Sequence, residues 1–308
     1  MQTYNLGYIG NFKGAPYTTE NDRSKDFRKL GHRVVPFQEN EVTAEFIINN
    51  LAGLDCLFYS HTHDYGIRNL ESVFKKCKEL GIPVVTMHLD LWRGLARWSD
   101  VGKEATWSAD FIFTPDDTGE WPDDIAERHH YMRPGILSDS CYLAEPDYKK
   151  YPYEIIFVGS RGYHHEWNWR PKLIDWLKLA YGGKFALYGN DGLGVIRQSE
   201  LNTLYASAKL VIGDSCFGGK IKGYYSDRVT ETTGRGGFLL HPRNEWINPH
   251  VVQFDLNFED LKEKIDYWLT HDEEREARRL EMYKYTKEND TYLQIGKEIL
   301  EIVKDTYK

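Results

Sequence analysis

Short apolar runs alternate with polar, helix-forming stretches along the whole 308-residue chain, and the alternation starts afresh near its middle. In the first half the apolar runs are residues 4–10, 32–37, 55–60, 82–87 and 110–114. Between them, Thr19 is placed to cap a helix that Glu20 and Asp22 favour at its positive end and Gly31 closes. Residues 70–80 form a second helix, closed by Gly81. In the second half the runs are 154–159, 184–189, 210–214, 237–241 and 251–255. Asn257 caps a helix whose apolar face is Phe258, Leu261, Ile265, Trp268 and Leu269, and residues 292–303 are amphipathic. Strand–helix alternation at this spacing dictates βαβ units and parallel sheets. The expected fold class is α/β, with two tandem Rossmann-like, doubly wound domains facing across a cleft. Residues 1–142 form the amino-terminal domain and 143–290 the carboxyl-terminal one, entered through a polar linker at 143–153. The last helix, 291–308, is free to pack back on the amino-terminal domain.

Composition narrows the function classes. No apolar run approaches the roughly 18–20 residues of a membrane span, and the start lacks a basic segment followed by an apolar one. Cys56, Cys77, Cys141 and Cys216 are far apart and form no C-x-x-C pair, which points to reduced thiols and a cytoplasmic protein. Lysine and arginine number 39 against 47 acidic residues, net −8. That balance opposes a broad phosphate-neutralising surface, so nucleic acid is not the favoured partner, although a local basic groove stays compatible with it.

Ligands of open α/β sheets bind at the carboxyl ends of the strands, so the loops there carry the candidates. Gly7-x-x-Gly10-x-x-x-Gly14 has the wrong spacing for a dinucleotide fingerprint, although Glu39 does follow the second strand. Gly10 and Asn11 leave the backbone open to a substrate, with a plain tight turn as the equal alternative. In the second half Gly159-Ser160-Arg161-Gly162 offers backbone N–H groups and a guanidinium, a combination suited to a diphosphate. In the stretch 223–242, Ser226 is placed to cap a short helix. Glu231 either accepts the two hydroxyls of a ribose or pairs within the helix, with Arg228 or Arg235. Histidine-rich patches at 61–64, 129–130 and 164–166 lack the i, i+4 spacing of a zinc helix, and Asp116-Asp117 reads as a turn, so no metal is expected.

The stretch 226–242 resembles the S-D-R-V/T-x-E-x-x-x-x-G-G-F-L-L segment of nucleotide-sugar glycosyltransferases with the GT-B fold, especially the spore-maturation-protein-like branch. Residues 156–161 with Arg170 and Leu173, then 186–190 and 201–214, follow in the same order, and the likeness spans 154–300. Residues 83–90 resemble, more loosely, a P-V-V-x-T-x-H-D segment of related retaining enzymes. One departure stands out: the Glu-x7-Glu pair of the wider group keeps its second member at Glu231, but Gly223 occupies the first.

The resemblance implies a hexosyl- or pentosyltransferase that uses a nucleoside-diphosphate sugar, such as a UDP-sugar, with retention of configuration. Glu231 would hold the donor ribose, and Ser226, Asp227 and Arg228 would line the diphosphate opposite Gly159, Ser160 and Arg161. Gly189 and Asn190 would border the base. His88 and Asp90 would project toward the anomeric carbon and acceptor, with Asp90 the general base if the enzyme inverts. The alternative for that pair is a loop histidine and a helix cap. No cofactor or catalytic metal is implied, since cationic side chains neutralise the leaving diphosphate. The acceptor stays open among a glycan, a protein, a metabolite and a hydroxymethylated DNA base, the last of which Lys220, Lys222, Arg93 and Arg97 would serve. A non-catalytic nucleotide- or sugar-binding module is the alternative reading, motivated by Gly223.

Overall fold

A computed structural model describes residues 2–61, 66–117, 119–162 and 164–306. The chain forms two compact units: Met1–Arg133 with Tyr292–Lys308, and Pro134–Thr291.

The first unit carries β1 (Asn5–Gly10), α1 (Thr19–Lys29), β2 (Arg33–Gln38), α2 (Ala44–Asn49) and β3 (Cys56–His61). There follow α3 (Leu70–Leu80), β4 (Val84–His88), β5 (Phe111–Thr114), α4 (Asp123–Ala126) and β6 (His129–Tyr131). The strands pair in the order β2-β1-β3-β4-β5-β6, every ladder parallel. Strands buried on both faces read as continuous apolar runs, which is why CLFYSH and VVTMH show no alternation. One face is covered by a cluster that includes Ile47, Leu51, Val73, Phe74, Trp92 and Trp107. The other is covered by Phe27, Tyr292, Ile295, Ile299 and Val303, from α1 and the final helix. That helix, Tyr292–Thr306, packs against α1. Gly296 permits the approach, since a Cβ there would come within 3.0 Å of the Phe27 ring.

The second unit carries β7 (Ile155–Val158), α5 (Trp169–Tyr181), β8 (Phe185–Tyr188), α6 (Ser199–Ser207) and β9 (Leu210–Ile212). Next come α7 (Arg228–Gly234), β10 (Leu239–Pro242), β11 (Val252–Phe254), α8 (Phe258–Thr270) and α9 (Asp272–Asn289), which makes Tyr292–Thr306 α10. The sheet order is β11-β10-β9-β7-β8, again parallel throughout. Leu261 and Ile265 of α8 are buried and Phe258, Trp268 and Leu269 flank them, the face expected from their spacing.

Local signals land within a residue. Thr18, not Thr19, caps α1, its hydroxyl accepting the Asn21 N–H at 3.3 Å, while Asn257 caps α8 as expected. The stretch 143–153 belongs to the body of the second unit: Tyr151 is buried and the Asp147 N–H donates to Ser207 at 2.8 Å. β6 has no counterpart among the expected strands, because its His-His-Tyr sequence is half-buried and forms only against the β5 edge. None of the four cysteines forms a disulfide, and all are buried. Among the described residues no helix is long and apolar enough to cross a membrane.

Phe27 touches the Phe58 ring at 5.2 Å and fills the seam between α1 and α10. Phe27→Ala is expected to cost about 3–5 kcal/mol, read as a lower urea midpoint at unchanged m-value. A loss below about 1 kcal/mol would show that the seam relaxes around the cavity.

Candidate functional site

In the second unit the chain leaves β7 for β8 and then crosses to β9, so the carboxyl ends of β7 and β9 flank the crevice expected of a doubly wound sheet. Gly159 follows β7 and Gly189 follows β8. Their backbones are pressed together, and the Gly159 N–H donates to the Tyr188 carbonyl at 2.8 Å. A Cβ on Gly189 would lie 2.3 Å from the Gly159 carbonyl oxygen, and one on Gly159 would lie 3.8 Å from Arg228 Nε. Both residues also hold positive φ, 150° and 151°, where side chains are rarely tolerated. The result is a wall of two glycines flanked by the Phe157 ring, 3.3 Å from where a Gly159 Cβ would lie, with the Arg228 guanidinium above it. Ser160 lies half-buried beside the wall and Asn190 is exposed at its rim. Arg161 points elsewhere: its N–H bonds Asp191 at 2.9 Å and its Nε sits 3.3 Å from Asp175 of α5. Such an exposed pair contributes under about 1 kcal/mol and is easily exchanged.

The loop between β9 and α7 is tied down by buried polar contacts. Asp214 is fully enclosed, accepting from Trp167 Nε1 at 2.9 Å and from Arg170 Nε at 2.9 Å. Burial still raises its carboxyl above the usual range despite Arg170. His241 Nδ1 faces the Pro242 carbonyl at 2.8 Å, so that nitrogen carries the proton. Its Nε2 therefore accepts the Ser215 hydroxyl at 2.7 Å, and Ser215 Oγ accepts the Ser226 N–H at 2.8 Å. Two loops that are far apart in sequence are pinned by this chain. Nothing in the spacing of Ser215 and His241 announced it.

Asp227 is the N-cap of α7, and Ser226 serves one position earlier, accepting the Arg228 N–H at 3.3 Å. For Glu231 the intrahelical pair with Arg235 is the contact formed, at 2.8 Å. Arg235 is buried and is held further by Asn202 Oδ1 at 2.5 Å and the Gln198 carbonyl at 3.0 Å. Glu231 Oε1 makes no hydrogen bond among the described residues. Gly223 has φ 78°, a conformation suited to glycine.

In the first unit Gly10 ends β1 against Glu20, whose Cγ would lie 2.5 Å from a Cβ there. Asn11 shapes the following loop, accepting the Gly14 N–H at 2.9 Å. His88 corrects the expectation that it projects from β4. Its ring is fully buried, stacked 3.8 Å over Trp107, with Nδ1 3.1 Å from His61 Nδ1. His61 Nε2 in turn lies 3.0 Å from Glu104. Asp90 is half-buried 3.6 Å from Arg97, which also donates to the Leu91 carbonyl at 2.7 Å. Arg93 pairs with Glu120 and lies over Trp98, and in the other unit Lys222 lies over Trp246. Among the described residues no group of three or more potential ligands is placed to hold a metal ion. Thr62, His63 and Asp64 lie outside the described residues.

Two buried groups make stability depend on pH in opposite directions. Burial lowers His241 from 6.5 to about 4, so the unfolded chain takes up that proton first. Stability is therefore lost as pH falls from 6.5 towards 4, by up to about 3 kcal/mol, and His241→Gln removes that share of the slope. Burial raises Asp116 from 3.8 to about 6, so its ionisation disfavours the fold as pH rises through that window. Asp116→Asn is expected to be more stable than the parent at pH 7–8 by about 2–3 kcal/mol, with no difference near pH 3.5. Urea titrations across pH check both, and parallel parent and variant curves would contradict them.

Residues 170–301 match a family model described as Glycosyl transferase-like. No curated protein sequence matches the chain. The structure is similar to a glycosyltransferase from Rickettsia africae ESF-5, with 12% identity, all of both chains covered and a TM-score of 0.65. It is also similar to the N-terminal domain of trehalose-6-phosphate phosphatase from Candida albicans, with 12% identity, 97% of this chain and 96% of that one covered, and a TM-score of 0.57. At that identity the two likenesses establish the fold. Its sheets, parallel throughout and doubly wound, are those expected of the GT-B class. The chain thus has a glycosyltransferase fold of GT-B type, with a glycosyl transferase-like signature over residues 170–301.

Proposed function

We propose that the protein transfers a sugar from a nucleoside-diphosphate sugar, such as a UDP-sugar, to an acceptor hydroxyl with retention of configuration. The observation that carries this reading is the glycine wall of Gly159 and Gly189 with Arg228 above it, at the sheet edge where a doubly wound unit takes its ligand. A diphosphate needs close backbone approach and a cation, and this wall offers both without a metal. Ser160, Ser226 and Asp227 lie beside it in the adjoining loops. Arg161 reaches it by exchanging its exposed partner Asp175. Glu231 keeps one carboxylate oxygen for a ribose while the other holds Arg235. Gly189 and Asn190 border the base, and Gly10 and Asn11 face the acceptor.

Retention is favoured by what surrounds the end of β4. His88 is enclosed by aromatic rings and Asp90 is bridged to Arg97, so neither is poised as a general base. The departing diphosphate then serves as the proton acceptor, and Arg228 stabilises its charge. Arg93 is already paired with Glu120 and Arg97 with Asp90, which weighs against a DNA acceptor. Gly223, where related enzymes carry a carboxylate, favours a second reading: a module that binds the donor and does not turn it over.

Thermal unfolding with UDP, GDP, dTDP and CMP tests the donor site. A nucleotide at about 100 times its dissociation constant should add roughly 2.7 kcal/mol of stability. Arg228→Ala should weaken a nucleoside diphosphate about tenfold or more while leaving the bare nucleoside unchanged. No stabilisation by any nucleotide would overturn the reading. Binding without consumption of any nucleotide sugar would favour the module.

A further inference from the structure

Arg23 on the inner face of α1 reaches Met87 near the carboxyl end of β4 and acts on Tyr8 of β1, and only 5% of it is exposed. Buried guanidinium groups are ordinarily paired, and among the described residues this one forms no ion pair with a carboxylate. Among the described residues its one hydrogen-bond contact is Nη1 to the Met87 sulfur, 3.5 Å away, and its Nε has none. The Tyr292 ring lies 4.7 Å below it. Glu20, one turn earlier, feels the charge of Arg23, but its carboxyl is taken by its own N–H, the Asn11 N–H and Thr18. Ser24, next to Arg23 and 1% exposed, also leaves its hydroxyl without a partner.

The place is informative. In the order β2-β1-β3-β4-β5-β6 the chain goes from β1 to β2 and then back across to β3, so the crevice of this unit lies between β1 and β3. Tyr8 of β1 and Ser60 of β3 bridge that gap, their hydroxyls 2.6 Å apart. One hydrogen serves the bridge and the second is left to donate. Arg23 is near enough to Tyr8 to act on its phenol electrostatically, so a cation and a hydroxyl donor lie together where a doubly wound unit takes a ligand.

We infer that Arg23, with Ser24 and the Tyr8–Ser60 pair, binds an oxyanion, a phosphate or carboxylate, at the carboxyl edge of the first unit. That this anion is part of the sugar acceptor rests on the glycosyl-transfer reading, whereas oxyanion binding itself does not. A guanidinium matches either group through paired N–H donors, and the surrounding apolar rings strengthen the contact by excluding water. A fixed internal cation without such a ligand would be poorly placed, since a methionine of similar length fills the space without the cost of burying charge.

Inorganic phosphate is the first probe, titrated at constant ionic strength against chloride while thermal unfolding is followed. The parent should be stabilised, Arg23→Met should weaken phosphate about tenfold or more, and Arg228→Ala should retain the response. In chloride alone Arg23→Met should unfold at or above the parent temperature. The inference is overturned by an unresponsive parent, by a response lost in Arg228→Ala but kept in Arg23→Met, or by an Arg23→Met protein that unfolds well below the parent in chloride. Glycerol 3-phosphate, run alongside, separates the sources. Tighter binding than inorganic phosphate assigns the anion to an organic acceptor, and equal binding assigns it to free phosphate and removes the acceptor clause. Failure of either outcome leaves the nucleotide response of the second unit unaffected.

Discussion

Every ladder in both units runs parallel, and this single constraint arranges the rest of the molecule. A parallel strand must be returned to its starting end by a crossover, and the crossover helices then cover both faces. The strands lose contact with water on each side and can be built from Val, Ile, Leu and Phe alone. Polar chemistry consequently gathers mostly at the carboxyl edge of the sheet, with a few buried exceptions such as Thr86 of β4. Gly159, Gly189, Ser215 and Arg228 gather there in one unit, and Gly10, Tyr8, Ser60 and Arg23 in the other. Neither gathering requires a long search of sequence space: strand ends supply the place, and glycines supply the room.

The polar residues that hold the second unit's edge are mostly neutral or compensated, as burial demands. His241 stays uncharged because burial disfavours its cationic form, while its ring nitrogens are satisfied by a carbonyl on one side and a hydroxyl on the other. Asp214 keeps Arg170 and Trp167 against it. Arg170 is also where the glycosyl transferase-like match begins, and its contact reaches from α5 to the end of β9. The match therefore starts at a residue that fixes the loop leading to Ser226 and Arg228. Under the proposed donor reading, fixing that loop matters because a site working by electrostatics gains most when its groups need not reorganise.

How much of this was legible in the sequence depended on how local each cause was. Strands announced by apolar runs, Gly31 and Gly81 at helix ends, and Asn257 as a cap were all decided within a few residues. β6 was not legible, because His129, His130 and Tyr131 become a strand only when the β5 edge is beside them. His88 was misread for the same reason: what buries it is Trp107, nineteen positions on, together with His61 from the neighbouring strand. Glu231 was left between two partners within its helix, and Asn202 and Gln198 of the α6 region explain why it pairs with Arg235, which they hold within its reach. Sequence spacing shows which groups are able to meet along one helix. It does not show which of them a distant backbone will steady.

The same comparison sets Arg23 beside buried Arg235 and half-buried Arg170. Arg170 has Asp214, and Arg235 has Glu231, Asn202 and a carbonyl, so each guanidinium is satisfied within the chain. The protein carries eight more acidic than basic residues, so carboxylates are not scarce. Arg23 nevertheless faces a thioether and a phenol ring, while the carboxyl of Glu20, which feels its charge, is spent on backbone N–H groups and Thr18. A chain that matches those two cations this closely has the means to match this one as well. An unmatched cation at a ligand-binding sheet edge is therefore better explained by a partner that arrives from outside than by packing alone.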